Sequence, residues 1–204
     1  MNAIETLMRT APVIPVLVIE DAAHARPIAE ALVAGGLRVL EVTLRTAAAL
    51  DVIREMKAVD GAIVGAGTVL NEADLRASID AGSEFIVSPG LTEPLGKAAV
   101  ASGVPFLPGT ANASDIMRGL DLGLSHFKFF PAEASGGSAA LKAIAAPFGM
   151  AKFCPTGGIS LKTAPDWLAI DPVLCVGGSW VVGKGEPDTA AIRAAAERAC
   201  GLRG

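Results

Sequence analysis

Short apolar runs alternate with alanine-rich amphipathic stretches along the whole 204-residue chain. The runs are apolar at successive positions, which is typical of strands buried on both faces, and each following stretch has the apolar spacing of a helix. Eight such pairs occur, with predicted strands at 13–19, 37–43, 62–67, 84–89, 104–109, 126–131, 151–158 and 172–178. The pattern predicts a parallel α/β protein.

Eight consecutive βα units favour a small (β/α)8 TIM barrel that forms one domain over residues 1–204. An open doubly wound sheet is the alternative, because it has the same alternation of strands and helices. No linker, low-complexity segment or charge run divides the chain. Helices are predicted to begin at polar N-cap residues, which are Asp21, Asn71, Thr92 and Ser160.

Composition excludes several classes of function. The formal net charge of −4 argues against a general nucleic-acid-binding protein, which needs a basic face. No apolar stretch approaches the roughly 20 residues of a membrane span, and no secretory signal is visible at the N-terminus. Three widely spaced cysteines and two histidines suggest neither a disulfide framework nor a metal site. We therefore expect a cytoplasmic protein without a metal or other cofactor.

The last two predicted strands end in glycine pairs, each predicted to lie just before a helix, in "TGGIS" (156–160) and "VGGSW" (176–180). In βα barrels the active site lies where strands end, and a phosphate site is frequently built from these two loops. Glycine allows close backbone approach, and the N–H groups at a helix start bind anions. The loops predict a phosphate site, although the glycines could also only make tight turns.

The second predicted strand ends in "VLEVTLRT", where alternation directs Glu41 and Arg45 to the face opposite Leu40 and Val42. Glu41 would then point into the barrel as a general acid or base, and Arg45 could bind a carboxylate bidentately. A structural ion pair between the two residues fits the same positions.

The third and fourth predicted strands also end in candidate site residues. Thr68 in "GAGTVLN" offers a hydroxyl at the barrel mouth, but Thr68 and Asn71 could instead only cap the next helix. The fourth strand ends in "SPGL", in which Pro89 and Gly90 make a rigid turn.

The sixth predicted strand, in "SHFKFFPAE", holds a lysine among aromatic residues. His126, Lys128 and Phe130 share one face, and Phe127 and Phe129 share the other, which would pack under the outer helices. Desolvation disfavours the ammonium form, so a lysine in such a pocket can become a Schiff-base nucleophile. A structural pair between Lys128 and Glu41 is the alternative, and His126, deeper on the same face, is expected to be a buried structural residue.

A lysine, a carboxylate, an arginine with a threonine, and a phosphate site together indicate one chemistry. The lysine would attack a keto group while the arginine and threonine bind a carboxylate. We therefore expect a phosphorylated keto acid as the substrate and carbon–carbon cleavage through an imine.

These motifs resemble those of the 2-keto-3-deoxy-6-phosphogluconate (KDPG) and 4-hydroxy-2-oxoglutarate (KHG) aldolase family. The resemblance covers nearly the whole chain and is most specific in "FKFFPAE" and "CPTGGIS". It implies a (β/α)8 barrel, a homotrimer, no metal, and cleavage of KDPG and often of KHG.

The resemblance also implies a role for each matching residue. It makes Lys128 the Schiff-base lysine, Glu41 the acid/base, and Arg45 and Thr68 the ligands of the pyruvyl carboxylate. The remaining positions would be pocket walls (Pro89, Phe130), the sugar-hydroxyl region (Thr156), and phosphate ligands (Gly157, Gly158, Gly178, Ser179). Three other functions remain open: an aldolase for the galactonate epimer, a non-catalytic phosphosugar-binding barrel, and a phosphate-binding isomerase or synthase. Thr156 argues against the first.

Overall fold

Helices and strands alternate in the computed structural model, which describes residues 2–202. The predicted domain of 1–204 therefore extends beyond the described residues by Met1, Arg203 and Gly204. The strands are β1 (Val13–Leu17), β2 (Val39–Thr43), β3 (Ile63–Gly67), β4 (Phe85–Val87), β5 (Phe106–Leu107), β6 (Gly109–Thr110), β7 (His126–Phe129), β8 (Lys152–Pro155) and β9 (Val176–Gly178).

The helices precede the first strand, follow most of the others, and end the described chain. They are α1 (Ala3–Arg9), α2 (Ala25–Ala34), α3 (Ala49–Lys57), α4 (Glu72–Asp80), α5 (Glu93–Ser102), α6 (Ala113–Asp121), α7 (Gly137–Ala145), α8 (Ala164–Leu168) and α9 (Thr189–Cys200). A 3-10 turn spans Ala22–His24. Within residues 2–202, no helix has the length and apolar character needed to cross a bilayer.

The strands form a single-domain α/β fold with a curled parallel sheet of six strands, in the order β5-β4-β3-β2-β1-β9. A second sheet of three parallel strands has the order β6-β7-β8. Sequential strands remain neighbours and β9 pairs with β1, so the order lacks the reversal of a doubly wound sheet. The doubly wound alternative is therefore wrong.

The predicted ring of eight strands is divided between these two sheets at two places, and one of them is the fifth predicted strand, which is interrupted at Pro108. Proline has no N–H to donate to a ladder. Residues 106–107 pair with β4, whereas residues 109–110 pair with Lys128 and Phe129 of β7. Two isolated parallel bridges connect the second sheet to the β9 region: Phe153 of β8 pairs with Val173, and Thr156, just after β8, pairs with Gly177 of β9.

Strand alternation separates two apolar layers. Leu40, Val42, Phe127 and Phe129 belong to the larger cluster, which the outer helices cover. Phe129, for example, lies 6.3 Å from the ring of Trp167 on α8. The predicted outward packing of both phenylalanines is confirmed. A smaller inner cluster is formed by residues on the opposite strand faces, among them Ile14, Val39, Phe85, Leu107 and Cys154.

Helix α1 was not predicted from the sequence, and it closes one end of the inner layer. Its buried residues Ile4 and Met8 pack into the inner cluster. Asn2 caps it by accepting the N–H of Ile4, and Glu5 pairs with Arg9 one turn later at 2.8 Å. The apolar positions are too few to predict a helix from periodicity, so its stability comes from tertiary burial.

Three of the four predicted N-cap residues precede a helix. Asp21 and Asn71 accept helix N–H groups, and Thr92 occupies the N-cap position of α5 without a side-chain hydrogen bond. The prediction that Ser160 is an N-cap is wrong, because Ser160 forms a turn with Thr163 and α8 begins only at Ala164.

His126 lies at the start of β7, where it is 5% exposed and faces α1. Its Nε2 lies 3.6 Å from Glu5 Oε2 and has no hydrogen-bond partner within the described residues. Burial lowers the pKa of His126; the Glu5 carboxylate opposes this, while Arg9 and Lys152 lower the pKa further. The histidine is therefore held towards its neutral form in the folded chain.

We predict that this histidine weakens the fold at mildly acidic pH. An unfolded histidine protonates near pH ~6.5, above the folded value, so the unfolded state takes up the proton first as the pH falls. The stability associated with neutral His126 is present above about pH 6.5 and is lost below it. Urea unfolding at pH 7.5 and 5.5 should show a smaller acid-side loss for His126→Gln than for the wild type; equal losses would contradict the prediction.

Candidate active site

The predicted site residues lie on or just after six strands, and all but Glu41, the central residue of β2, are near or beyond the carboxyl ends. Because all the strands are parallel, their carboxyl ends face the same end of the fold. The residues are Glu41 and Arg45 at β2, Thr68 at β3, Pro89 at β4, Lys128 and Phe130 at β7, Thr156, Gly157 and Gly158 at β8, and Gly178 and Ser179 at β9.

A buried ion pair joins the two sheets through the interior. Lys128 Nζ on β7 donates to Glu41 Oε1 on β2 at 2.8 Å, and the two side chains are 7% and 4% exposed. The alternative pairing of Glu41 with Arg45 is therefore wrong. Arg45 is exposed and makes no ion pair or hydrogen bond with another residue in the range 2–202. The contact fits both a structural pair and an acid/base next to a nucleophile.

Small and apolar groups shape the surroundings of this pair. Lys128 Nζ lies 5.5 Å from the ring centroid of Phe130, within the range of a cation–π contact. A Cβ at Gly67, on the neighbouring strand β3, would collide with the Glu41 carboxyl group. Sequence alone does not identify Glu41 as the group that lies against Gly67.

Thr68 follows Gly67 and has a φ of 60°, in the left-handed region. A β-branched residue is rarely found there, at a cost on the order of 1–3 kcal/mol. Asn71 caps α4 by accepting the N–H of Asp74, whereas Thr68 makes no capping hydrogen bond. The alternative that Thr68 caps this helix is therefore wrong, and its strained backbone marks this strand end.

Pro89 is half-buried after β4, and the backbone of Gly109 on β6 packs against its carbonyl. Gly109 is in turn the register partner of Lys128. Strand β6 therefore lies between Pro89 and Lys128.

The two glycine pairs do not lie immediately before helices. Helix α8 begins at Ala164 and α9 at Thr189, so the prediction that each pair leads directly into a helix is wrong. Gly157 and Gly158 have φ values of 107° and 82°, which favour glycine. The loop after β8 is a tight backbone turn separate from the start of α8.

Contacts connect the loop after β8 to both of its neighbours. Thr156 bridges to Gly177, where any Cβ would collide with the threonine side chain. On the other side, a Cβ at Gly157 would lie 3.5 Å from Phe130. The structure thus brings Glu41, Lys128, Phe130 and the loop after β8 into one connected set. Within residues 2–202, Arg45 makes no hydrogen bond or ion pair with that set, and Ser179 is exposed.

No cluster of three or more histidine, cysteine or acidic side chains within residues 2–202 could hold a metal ion. A surface cavity of about 390 Å³ lies near the amino ends of β8 and β9, lined by residues that include Phe148, Lys152 and Pro172. It is therefore separate from the edge that carries Lys128.

Comparison with known proteins agrees with this arrangement. The profile of an aldolase family, described as KDPG and KHG aldolase, matches residues 4–195. The chain belongs to the KDPG and KHG aldolase family. By family it is a carbon–carbon lyase.

Two relatives illustrate how close the match to this aldolase family is. The 2-dehydro-3-deoxy-phosphogluconate aldolase of Zymomonas mobilis subsp. mobilis is 61% identical over 203 residues, which are 100% of this chain and 98% of the relative. The KHG/KDPG aldolase of Escherichia coli K12 is 57% identical over 179 residues, which are 87% of this chain and 84% of the relative.

Solved structures of aldolases extend the comparison to the fold. The KDPG aldolase of Zymomonas mobilis ZM4 with 3-phosphoglycerate has a TM-score of 0.98 at 60% identity, covering 100% of this chain and 97% of that one. The KDPG aldolase of Legionella pneumophila, with pyruvate captured as a covalent carbinolamine, has a TM-score of 0.87 at 42% identity, covering 98% and 96%.

We predict that removing one member of the Lys128–Glu41 pair destabilises the aldolase more than removing both. Lys128→Met or Glu41→Gln leaves a buried charge without its counter-ion, at a cost of about 3–5 kcal/mol. The double variant leaves no buried charge, so it should unfold at a higher urea concentration than either single variant.

The matched control is Arg54→Met, which removes an exposed ion pair with Asp51 on α3. Its effect should stay within about 1 kcal/mol. Additive losses in the Lys128→Met/Glu41→Gln variant would contradict the prediction.

Proposed function

We propose that the chain is a class I aldolase that cleaves KDPG to pyruvate and D-glyceraldehyde 3-phosphate through a Schiff base on Lys128. The observation that carries this proposal is the buried 2.8 Å contact between Lys128 Nζ and Glu41 at the carboxyl ends of the strands. A nucleophile and its base within hydrogen-bond reach, at this end of a parallel βα fold, are what imine chemistry requires.

Substrate binding is proposed to use the neighbouring strand ends. Arg45, which has no partner of its own among residues 2–202, would bind the pyruvyl carboxylate together with Thr68. The strained backbone at Thr68 supports a functional position there. Pro89 and Phe130 would form the pocket walls beside the imine, and Thr156 would line the sugar-hydroxyl region.

The phosphate is proposed to bind at Gly157, Gly158, Gly178 and Ser179. Neither glycine pair directly precedes a helix, so the anion would be bound by turn N–H groups and the Ser179 hydroxyl rather than by a helix start. The structure with 3-phosphoglycerate of a relative 60% identical to this chain supports a phosphorylated ligand.

The proposed reaction needs one lysine and one carboxylate. Glu41 takes the ammonium proton, and neutral Lys128 attacks the keto carbon. A second nitrogen proton passes to the former carbonyl oxygen to give a carbinolamine, and Glu41 returns its proton to that hydroxyl, which leaves as water to form an iminium facing the Glu41 carboxylate. Glu41 then takes the proton of the carbon-4 hydroxyl; the bond between carbons 3 and 4 breaks, and its electrons pass to the iminium. Glyceraldehyde 3-phosphate leaves, Glu41 protonates the enamine at carbon 3, and hydrolysis releases pyruvate. The carbinolamine of pyruvate in the Legionella pneumophila relative supports this route.

We propose KHG cleavage to pyruvate and glyoxylate as a second activity of the same site. The name of the Escherichia coli relative, KHG/KDPG aldolase, supports it. KHG has the keto acid and the hydroxyl that react, but no phosphate, so it would not engage the glycine loops.

We further propose that residues 1–204 form one small (β/α)8 barrel, with β5 and β6 acting as a single strand broken at Pro108. The bridges beside β8 support closure of the two sheets. A cytoplasmic homotrimer that uses no cofactor and binds neither nucleic acid nor membrane is the proposed form. Exposed Val100 on α5 and Met117 on α6 offer an apolar surface for assembly.

Pyruvate release from KDPG, its galactonate epimer and KHG, measured with a coupled dehydrogenase, tests the function. We expect turnover of KDPG and KHG, with the epimer a poorer substrate than KDPG. Lys128→Met should abolish turnover. Ligand binding without turnover by the wild type would instead favour a phosphosugar-binding protein.

Borohydride reduction in the presence of pyruvate should fix a covalent adduct on Lys128, because an imine is reduced to a stable secondary amine. Peptide mass spectrometry locates the adduct. Lys152→Met, which removes a lysine at the opposite end of the fold, should still be labelled. An adduct on Lys128→Met protein would overturn the assignment of the nucleophile.

A further inference from the structure

A glutamate outside the proposed catalytic set holds a buried tryptophan. Trp167 on α8 is 2% exposed, and its indole Nε1 donates to Glu133 Oε1 at 3.0 Å. A buried indole N–H needs an acceptor, and Glu133 provides it. Within residues 2–202, the Glu133 carboxylate forms no ion pair, and its hydrogen-bond donor is the Trp167 indole.

The backbone beside this contact is bonded to the loop after β8. The N–H of Ala132 donates to the Thr156 carbonyl at 2.8 Å, and the N–H of Glu133 donates to the Gly157 carbonyl at 3.1 Å. Gly158 lies against the glutamate so closely that a Cβ there would be 2.6 Å from Glu133 Cγ. Residues 132–133 therefore contact all three residues of 156–158.

The contacts of residues 132–133 and Trp167 connect β7, the 156–158 loop and α8 to one another. Lys128 lies on β7, and five residues later Glu133 reaches Trp167, whose helix follows the 156–158 loop in the chain. The Trp167 ring also packs on Phe129, the neighbour of Lys128, at 6.3 Å. Two backbone hydrogen bonds thus hold the 156–158 loop against the residues after β7. The contact between Glu133 and Trp167 holds the helix that follows this loop against the same residues.

We propose that Glu133 is a positioning residue that sets the distance between Lys128 and the 156–158 loop, and so the preference for phosphorylated keto acids. This inference rests on the proposed function. Covalent geometry limits the separation of the keto carbon and the phosphate within a substrate, so displacement of the loop strains or weakens the binding of a substrate that contacts both Lys128 and the loop. A keto acid without a phosphate binds at Lys128 but has no group that contacts the 156–158 loop, so displacement of the loop does not change its binding.

The test compares KDPG with KHG as substrates of Glu133→Ala. The variant removes the acceptor of Trp167, and we expect KM for KDPG to rise roughly tenfold, as for the loss of one hydrogen bond to a buried donor. The kcat for KDPG and both constants for KHG should stay within about threefold. A purely structural role would move the constants for both substrates together.

Two further variants separate positioning from general damage. Glu133→Gln keeps an oxygen that accepts the indole N–H and should retain the wild-type KM ratio of the two substrates. Trp167→Phe removes the donor and should reproduce the effect of Glu133→Ala, and the double variant should be no worse than either. Glu197→Ala, which breaks an exposed pair with Arg193, is the matched control and should leave the ratio unchanged.

The outcomes of these experiments are distinguishable from those that test the proposed function. An unchanged KM ratio in Glu133→Ala, or equal effects on KDPG and KHG, overturns the inference while leaving the aldolase activity intact. Failure of the wild type to cleave either substrate overturns the proposed function itself.

Discussion

The ion pair between Lys128 and Glu41 imposes the main constraint on the interior. Two opposite charges are buried at 2.8 Å between strands of different sheets, and burial of either charge alone would be costly. The surrounding structure accommodates them by removing bulk on one side, at Gly67, and by placing an aromatic face on the other, at Phe130. Their separation depends on both sheets staying in register, which links site geometry to the whole fold.

The two ends of the interior differ in polarity. At the amino ends of the strands, α1 fills the interior with Ile4 and Met8, and His126 lies buried beside Glu5. At the carboxyl ends, Arg45 and Ser179 are exposed and loops replace helices. Apolar closure at one end lets the other end carry polar groups and strained backbone, such as that of Thr68, without losing the core.

Strand positions and side-chain faces could be predicted because period-two alternation is a local signal. It placed Lys128 and Glu41 on the inner face and Phe127 and Phe129 under the helices. Local patterns could not decide what depends on distant partners. Helix α1 is stabilised by tertiary burial, the pairing of Glu41 was left open between Arg45 and Lys128, and the contact of Glu133 with Trp167 joins residues 34 positions apart. The start of the helix after β8 was misplaced because a glycine pair predicts a turn and says little about where the next helix begins. Pro108 was included in one strand, although its missing N–H divides that strand between two ladders.

In the proposed mechanism the buried pair carries no net charge at any stage. The resting state has an ammonium and a carboxylate; proton transfer gives a neutral amine and a carboxylic acid. The iminium formed next again faces a carboxylate, and cleavage converts these to a neutral enamine and a protonated Glu41. Each intermediate therefore keeps opposite charges in contact or removes both, so that no step leaves an isolated charge in a low-dielectric interior. One carboxylate in contact with the lysine is thus sufficient for every proton transfer, and the charged ends of the substrate can be bound at the exposed rim, by Arg45 on one side and the glycine loops on the other.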